Sequence, residues 1–239
     1  MSPLIEVVLV VGIAAGAAAV QGALGFGFTL LSAPLMVMVS PELVPGPALV
    51  GLLALTVMMA VRERGAVDRR GAIWTLVGRF PGSVLGAMAL AMLSQQSLSI
   101  ALAVVVLLAV ALSVCGLRLT PEPRTLLGAG VVSGVMESAA SIGGPPLALV
   151  YRRAPAPVVR GTLSVVFVVG VSLSLISVAW VGRFGAAEMR WALVMLPGVV
   201  VGLFASRLLR PAVDRGALAP AVLVLSAMSA VAVLVQSIW

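Results

Sequence analysis

Two charged residues lie where charge is costly. Arg79 sits in WTLVGRFPGSVLG, nine residues past Arg70, which in a helix is about 13 Å along the axis. Glu137 opens the tract ESAASIGGPP (Glu137 to Pro146) and is the one carboxylate deep in an apolar stretch. A guanidinium fork matches the planar oxygens of an oxyanion, and a carboxylate can take up and release a proton. Arg79 therefore reads as an anion-binding group, as half of an ion pair that holds helices together, or as an arginine snorkelling to an interface. Glu137 reads as a proton-coupling group, as the permanent partner of Arg79, or as a residue acting indirectly.

Two small-residue tracts supply the rest of an anion site. The first reads QGALGFGFTLLSAP, Gln21 to Pro34, and the second is the tract that Glu137 opens. Backbone amides at helix starts after Gly27, and after Gly143 and Gly144, can hydrogen-bond an anion, with the dipole favouring the charge. Thr29 and Ser32 in the first tract, and Ser138 and Ser141 in the second, add hydroxyl donors. Substrate contact is expected at Arg79, Gln21, Gly25, Gly27, Thr29, Ser138, Ser141, Gly143 and Gly144, and proton coupling at Glu137. Pro145 and Pro146 suit the first turn of a helix, and with Pro34, Pro81 and Pro197 they are candidates for kinks or gates. Glycine also permits close helix packing, and Gly82, Gly86, Gly198 and Gly202 are read that way.

The chain that must position these groups is a membrane chain. Of its 239 residues 62% are apolar and 10% charged, with 25 glycines, 15 prolines and no histidine; its mean hydropathy is +1.22. A soluble domain runs at about 45–50% apolar and about 25% charged, so there is too little polar surface here to face water. The chain is also far too apolar for disorder. Without histidine there is no imidazole base, no His metal ligand and no Ser-His-Asp arrangement. The single cysteine, Cys115, forms neither an internal disulfide nor a thiolate cluster and reads as a small buried hydrophobe. No group of acids suited to a metal and no G-x-x-x-x-G-K-[ST] loop is present, so neither an enzyme, a metal or cofactor, nor an ATP-driven pump is expected. The net charge of +7 comes from fifteen arginines in short clusters between apolar runs, as in juxtamembrane loops. The expected partner of that charge is the bilayer and not nucleic acid.

The runs 71–92, 98–117, 162–180, 191–209 and 217–236 reach the roughly 17–25 residues a spanning helix needs. The run 48–61 does so if it begins near Leu43. The N-terminal run lacks a basic start and carries Glu6, so it is read as mature protein and not as a signal peptide. Residues 4–40 and 125–151 are instead interrupted by the glycine tracts. That suggests non-helical backbone at membrane depth, which survives only where protein or water satisfies its amides. Discontinuous helices or re-entrant hairpins lining a cavity meet that condition.

One shift of 116 residues lays Gln21 on Glu137, Gly27 on Gly143, and Pro81, Gly82 and Gly86 on Pro197, Gly198 and Gly202. The mate of Arg79 under the same shift is Met195. The chain then divides into a first repeat, 1–117, and a second, 118–239. If each interrupted region returns to its own side, the loops 62–70, 118–124, 152–160 and 207–215 share one face with twelve arginines, against Arg183 and Arg190 opposite. Full crossings would split the arginines eight to six. The positive-inside rule selects the hairpins, with the N-terminus outside (periplasmic). Trp180, Trp191 and Trp239 then mark the outer interface, and Trp74 and Tyr151 the inner one. Each half holds a hairpin and three crossings, an odd number, so the second half is inverted. The expected fold is an all-α polytopic membrane protein of two inverted repeats, each a discontinuous or re-entrant helical hairpin plus three transmembrane helices. The first 17 residues are long enough to span alone, and a crossing there would change the count without moving the tracts.

The two glycine tracts, the GGPP in the second and the twofold repeat together resemble the sulfite exporter TauE/SafE family over essentially the whole chain. The resemblance implies a secondary transporter of small, often sulfur-containing anions: sulfite, sulfoacetate or other organosulfonates, usually moved outward across a bacterial inner membrane. The partners so implied are a small anion, a coupling proton or sodium ion and the lipid bilayer, for a monomer or homodimer. An anion channel, a sodium-coupled carrier using unwound carbonyls and a carrier of another substrate stand beside it. With no histidine, any proton coupling must run through a carboxylate.

Overall fold

Inside a bilayer no water meets the backbone, so long runs of Leu, Val and Ala must satisfy their amides within their own helices. The computed structural model describes residues 3–114, 119–214 and 218–238. Cys115, Arg118, Arg215, Trp239 and the boundary between 117 and 118 lie outside the described residues. Among these the chain folds as α1 (Pro3–Leu24), α2 (Phe28–Val39), α3 (Gly46–Arg62), α4 (Arg69–Ala91), α5 (Gln95–Val114), α6 (Pro123–Ala140), α7 (Gly144–Val150), α8 (Ala156–Trp180), α9 (Ala186–Asp214) and α10 (Leu218–Ile238), with no strand. A 3-10 turn, Pro41–Leu43, leads into α3, so that Pro41–Arg62 together is one of seven stretches long and apolar enough to cross a membrane. The 22-residue α1 is another; α2 and α7 are the short pieces after the breaks.

The breaks fall inside the two glycine tracts. Gly25 ends α1 in the left-handed region (φ 95°), its N–H donating to the Gln21 carbonyl (2.7 Å). Gly27, also left-handed (φ 112°), then starts α2. In the other tract Ser141 takes the left-handed position (φ 62°) and donates its N–H to the Glu137 carbonyl (2.6 Å), closing α6. Gly25 and Ser141 are 116 residues apart, and so are Phe28 and Gly144, the first residues of the two short helices. Pro145 and Pro146 lie in the first turn of α7, while Pro34, Pro81 and Pro197 lie inside α2, α4 and α9.

Close backbone approaches set the helix directions. Gly78, Gly82 and Gly86 of α4 pack on the backbone at Leu127, Val131 and Val135 of α6, and Gly130 and Gly134 return the contact at Thr75 and Arg79; the two helices therefore run parallel. Gly198 and Gly202 of α9 lie on Val11 and Ala15 of α1 in the same sense. α3 and α8 run antiparallel, because Gly161 near the start of α8 lies on Glu63 and Ala66 past the end of α3. α5 and α10 also run antiparallel, with Gln96 Nε2 donating to the Ser237 carbonyl (2.8 Å).

Two ends of the bundle result. At one, Arg62 Nη2 donates to the Gly22 carbonyl (2.8 Å), and Glu63 pairs with both Arg62 and Arg160 (3.2 Å each). Tyr151, just past α7, donates its hydroxyl to Asp68 there (3.0 Å). Burial, and then the Asp68 carboxylate, hold that phenol above its usual range, so it remains a donor. At the other end Arg183 Nη2 donates to the Leu93 carbonyl (2.5 Å), and Ser141 Oγ to the Pro45 carbonyl (3.0 Å). α1 thus ends beside Arg62 while α2 runs back toward Pro45; α6 ends beside Pro45 while α7 runs back toward Asp68.

Candidate functional site

The two breaks meet at a small cavity of about 10 Å³, on the scale of a single water molecule. Gln21, Gly27, Thr29 and Leu30 line it from the first break, and Glu137, Ile142, Gly143, Gly144 and Pro145 from the second. Leu52 of α3 and Phe167 of α8 complete the wall.

The first break presents donors. The first four N–H groups of a helix have no partner within it. In α2 the Phe28 N–H donates to Gln21 Oε1 (2.9 Å) and the Leu31 N–H to the Gly27 carbonyl (3.1 Å). No acceptor among the described residues meets the Thr29 and Leu30 N–H groups. Gln21 is itself buried, and among the described residues neither its Nε2 nor the buried hydroxyl of Ser32 has a partner.

The second break carries charge. Arg79 of α4 and Glu137 of α6 are both 0% exposed and form an ion pair through Nη2 and Oε2. Arg79 Nη1 donates to Ser133 Oγ (3.1 Å), which donates onward to the Gly143 carbonyl (2.6 Å). The guanidinium lies over the Phe167 ring, 5.3 Å from its centroid, a favourable placement for a cation. It rests on Gly170, where any side chain would occupy its place. Glu137 Oε2 also accepts from Ser174 Oγ (3.4 Å), whereas Oε1 lies toward Gly143 with no donor among the described residues.

Of the residues expected from sequence, Gln21, Gly27, Thr29, Glu137, Gly143, Gly144 and Pro145 line the cavity. Arg79 reaches it through Glu137 and Phe167. Gly25 packs on Arg160, Ser138 Oγ donates to Ser174 Oγ (2.9 Å), and the Ser141 hydroxyl is taken by Pro45. Pro34, Pro81, Pro146 and Pro197 are not among the lining residues. Sequence reading missed Ser133, Phe167, Gly170 and Ser174. A signal existed: Arg79 and Ser83, Ser133 and Glu137, and Gly170 and Ser174 are each four residues apart, one turn on one helix face. A larger crevice of about 750 Å³, shared by Leu30 and Pro145, opens near Tyr151 and Arg152; its wall is mainly apolar.

Broken helices meeting at a polar cavity inside an apolar bundle define a multi-pass membrane protein built as transporters are. The chain belongs to the family described as Sulfite exporter TauE/SafE, which matches residues 8–233. It is similar to the probable sulfite/organosulfonate exporter TauE of Cupriavidus necator, at 29% identity over 153 residues, or 61% of this chain. The matched region spans 60% of that relative's length. No solved structure matches.

Proposed function

We propose that this chain is a secondary transporter that exports small sulfur-containing anions, of the sulfite or organosulfonate kind, by alternating access with a proton as coupling ion. The carrying observation is the small cavity between the breaks, where Gln21 Nε2 and the Thr29 and Leu30 amides have no acceptor among the described residues. As it stands the cavity holds no more than a water, so an anion satisfies these groups once the breaks part, and Gly27, Gly143 and Gly144 let it approach the backbone closely. The printed name of the Cupriavidus necator relative supports the substrate class.

Glu137 gives the coupling its logic. An ionised carboxylate with a free oxygen beside the cavity repels an anion; a protonated one becomes a donor and leaves the Arg79 charge uncompensated. Anion and proton therefore bind together and cross in the same direction. Arg79 supplies the balancing charge through Glu137 and, once that carboxylate is protonated, turns toward the substrate.

Opposite directions of α3 and α8, and of α5 and α10, support two inverted repeats, 1–117 and 118–239, with the site between them. The arginine-rich end carrying Arg62, Arg64, Arg69, Arg70, Arg152, Arg153 and Arg160 would face the cytoplasm, and α1 would begin outside the inner membrane. The contacts of Arg62 and Glu63 at one end and of Ser141 at the other are the candidates for the two gates that a carrier needs and an open channel does not.

The test is sulfite and methanesulfonate flux in proteoliposomes, with and without a pH gradient, and with a sodium gradient in its place. Accelerated flux with the pH gradient is expected in the wild type, with loss of flux in Arg79→Ala and loss of gradient dependence in Glu137→Gln. Flux that follows sodium alone, or that survives Arg79→Ala unchanged, overturns the reading.

A further inference from the structure

Several helical serines and threonines of this chain spend their hydroxyls on their own helix. Thr56, Thr75, Ser113, Ser172, Ser229 and Ser237 each donate to the carbonyl four residues back, the usual local alternative for a hydroxyl in an apolar medium. Ser83, Ser138 and Ser174 do otherwise. Ser138 Oγ on α6 donates across to Ser174 Oγ on α8 (2.9 Å), and Ser174 Oγ donates to Glu137 Oε2 (3.4 Å). Ser83 Oγ on α4 joins Ser174 from the third helix (3.3 Å). All three serines are buried.

The donor order points one way, from Ser138 through Ser174 to Glu137. It reaches Oε2, whereas the cavity side of the carboxylate is Oε1, which has no donor. Ser83, Ser138 and Ser174 each follow the Arg79–Glu137 level toward the end of the bundle where Ser141 meets Pro45. The one charged group meeting Glu137 among the described residues is Arg79; α8 offers Phe167 and Ser174, α1 offers Gln21 and α3 offers Leu52, none of which titrates in water's ordinary range.

We infer that Ser138 and Ser174 form a hydroxyl relay that carries the coupling proton to Glu137 by a route separate from the anion cavity, with Ser83 holding Ser174 in line; this rests on the coupling role proposed for Glu137. Ser138 and Ser141 are fully buried, so the relay loads when the Ser141–Pro45 contact parts and admits water; hydronium there gives a proton to Ser138 Oγ as Ser138 passes its own to Ser174. Ser174 passes its own to Glu137 Oε2. The carboxylate becomes a carboxylic acid, both hydroxyls are restored, and water is left behind. The reverse sequence discharges the site.

Sulfite–sulfite exchange without a pH gradient needs no change in Glu137 protonation, whereas gradient-driven sulfite flux does. Ser174→Ala in proteoliposomes is expected to lose about tenfold or more of the gradient-driven rate, a clearly larger loss than that of sulfite–sulfite exchange in the same variant, and Ser174→Thr to recover it. Ser138→Ala carries the same expectation if Ser174→Ala cannot be recovered folded. Gradient-driven flux at wild-type rate in both alanine variants overturns the relay, and so does an equal loss of exchange and gradient-driven flux that threonine does not recover. If Glu137→Gln keeps its gradient dependence, the coupling reading beneath the relay fails. If it loses that dependence while Ser174→Ala keeps it, the relay alone fails.

Discussion

Gln21 and Glu137 lie 116 residues apart, each seven residues before the first residue of a short helix, α2 or α7, yet their side chains do opposite work. The carboxamide of Gln21 turns to its own short helix and accepts the Phe28 N–H (2.9 Å). The carboxylate of Glu137 leaves the equivalent N–H, that of Gly144, and turns to Arg79. The cause lies on the partner helices: where α4 carries Arg79, the matching position of α9 is Met195, an uncharged side chain buried against Gly51. One half is a neutral donor site and the other a buried ion pair.

That asymmetry can be removed. Glu137→Gln alone strands the buried Arg79 charge and should cost about 3–5 kcal/mol, as does breaking a buried pair from one side. Adding Arg79→Met makes the second half match the first at both positions and should return most of that stability. Thermal unfolding of the purified protein in detergent reads both; a double variant no more stable than Glu137→Gln means the pair is not the source of the loss.

Gly170→Ala places a methyl group where the Arg79 guanidinium lies. Overpacking of this kind costs about 1–3 kcal/mol, and here it also displaces the charge, so sulfite flux should fall with stability. Gly12→Ala, which meets nothing within 4 Å, is the matched control and should leave both unchanged.

Gly82→Ala and Gly202→Ala push backbone against backbone, at the Val131 and Ala15 carbonyls. Neither carbonyl can rotate away as a side-chain end can, so each variant should separate its helix pair and lower the melting temperature more than Gly128→Ala, which faces open space. Equal melting temperatures for all three would contradict the close approach.

Glu63→Gln should loosen the arginine-rich end. It weakens Glu63 between Arg62 and Arg160, whose neighbours hold the first break at Gly22 and Gly25. With Cys115 replaced by alanine and Leu52→Cys as reporter in the cavity wall, a membrane-impermeant thiol reagent should label faster from that end in Glu63→Gln than in its parent. Unchanged labelling would mean this cluster does not close the cavity.

Gln21→Leu removes the cap on α2 and the free Nε2 donor together. Losing an N-cap costs about 0.5–2 kcal/mol, and the missing donor should raise the sulfite concentration for half-maximal flux. Gln21→Glu keeps an acceptor for Phe28 while placing a second negative charge at the cavity, so a stable variant with weakened flux is expected there.

Much of the site is legible in the chain because membrane chemistry makes exceptions conspicuous. An arginine, a carboxylate and two glycine tracts stand out in a sequence this apolar, and the 116-residue shift aligns the breaks to the residue. The role of α1 was less legible: a 22-residue helix can span alone, and length does not say that the chain turns back after it. Ser133, Phe167, Gly170 and Ser174 were passed over because serine, phenylalanine and glycine are ordinary in such helices, and what distinguishes these is where their neighbours are.

By itself the sequence determined the solvent, the places where helices break and the two charges that must be compensated, since each follows from the cost of polar groups in hydrocarbon. Only the tertiary structure decided that Arg79 and Glu137 compensate each other. It also decided that Gln21 caps α2 while Nε2 stays free, and that three serines on α4, α6 and α8 meet. Residues 58 positions apart, as Arg79 and Glu137 are, touch only because Gly78, Gly82, Gly130 and Gly134 let two backbones lie against each other, and that contact belongs to the packed pair and to neither helix alone.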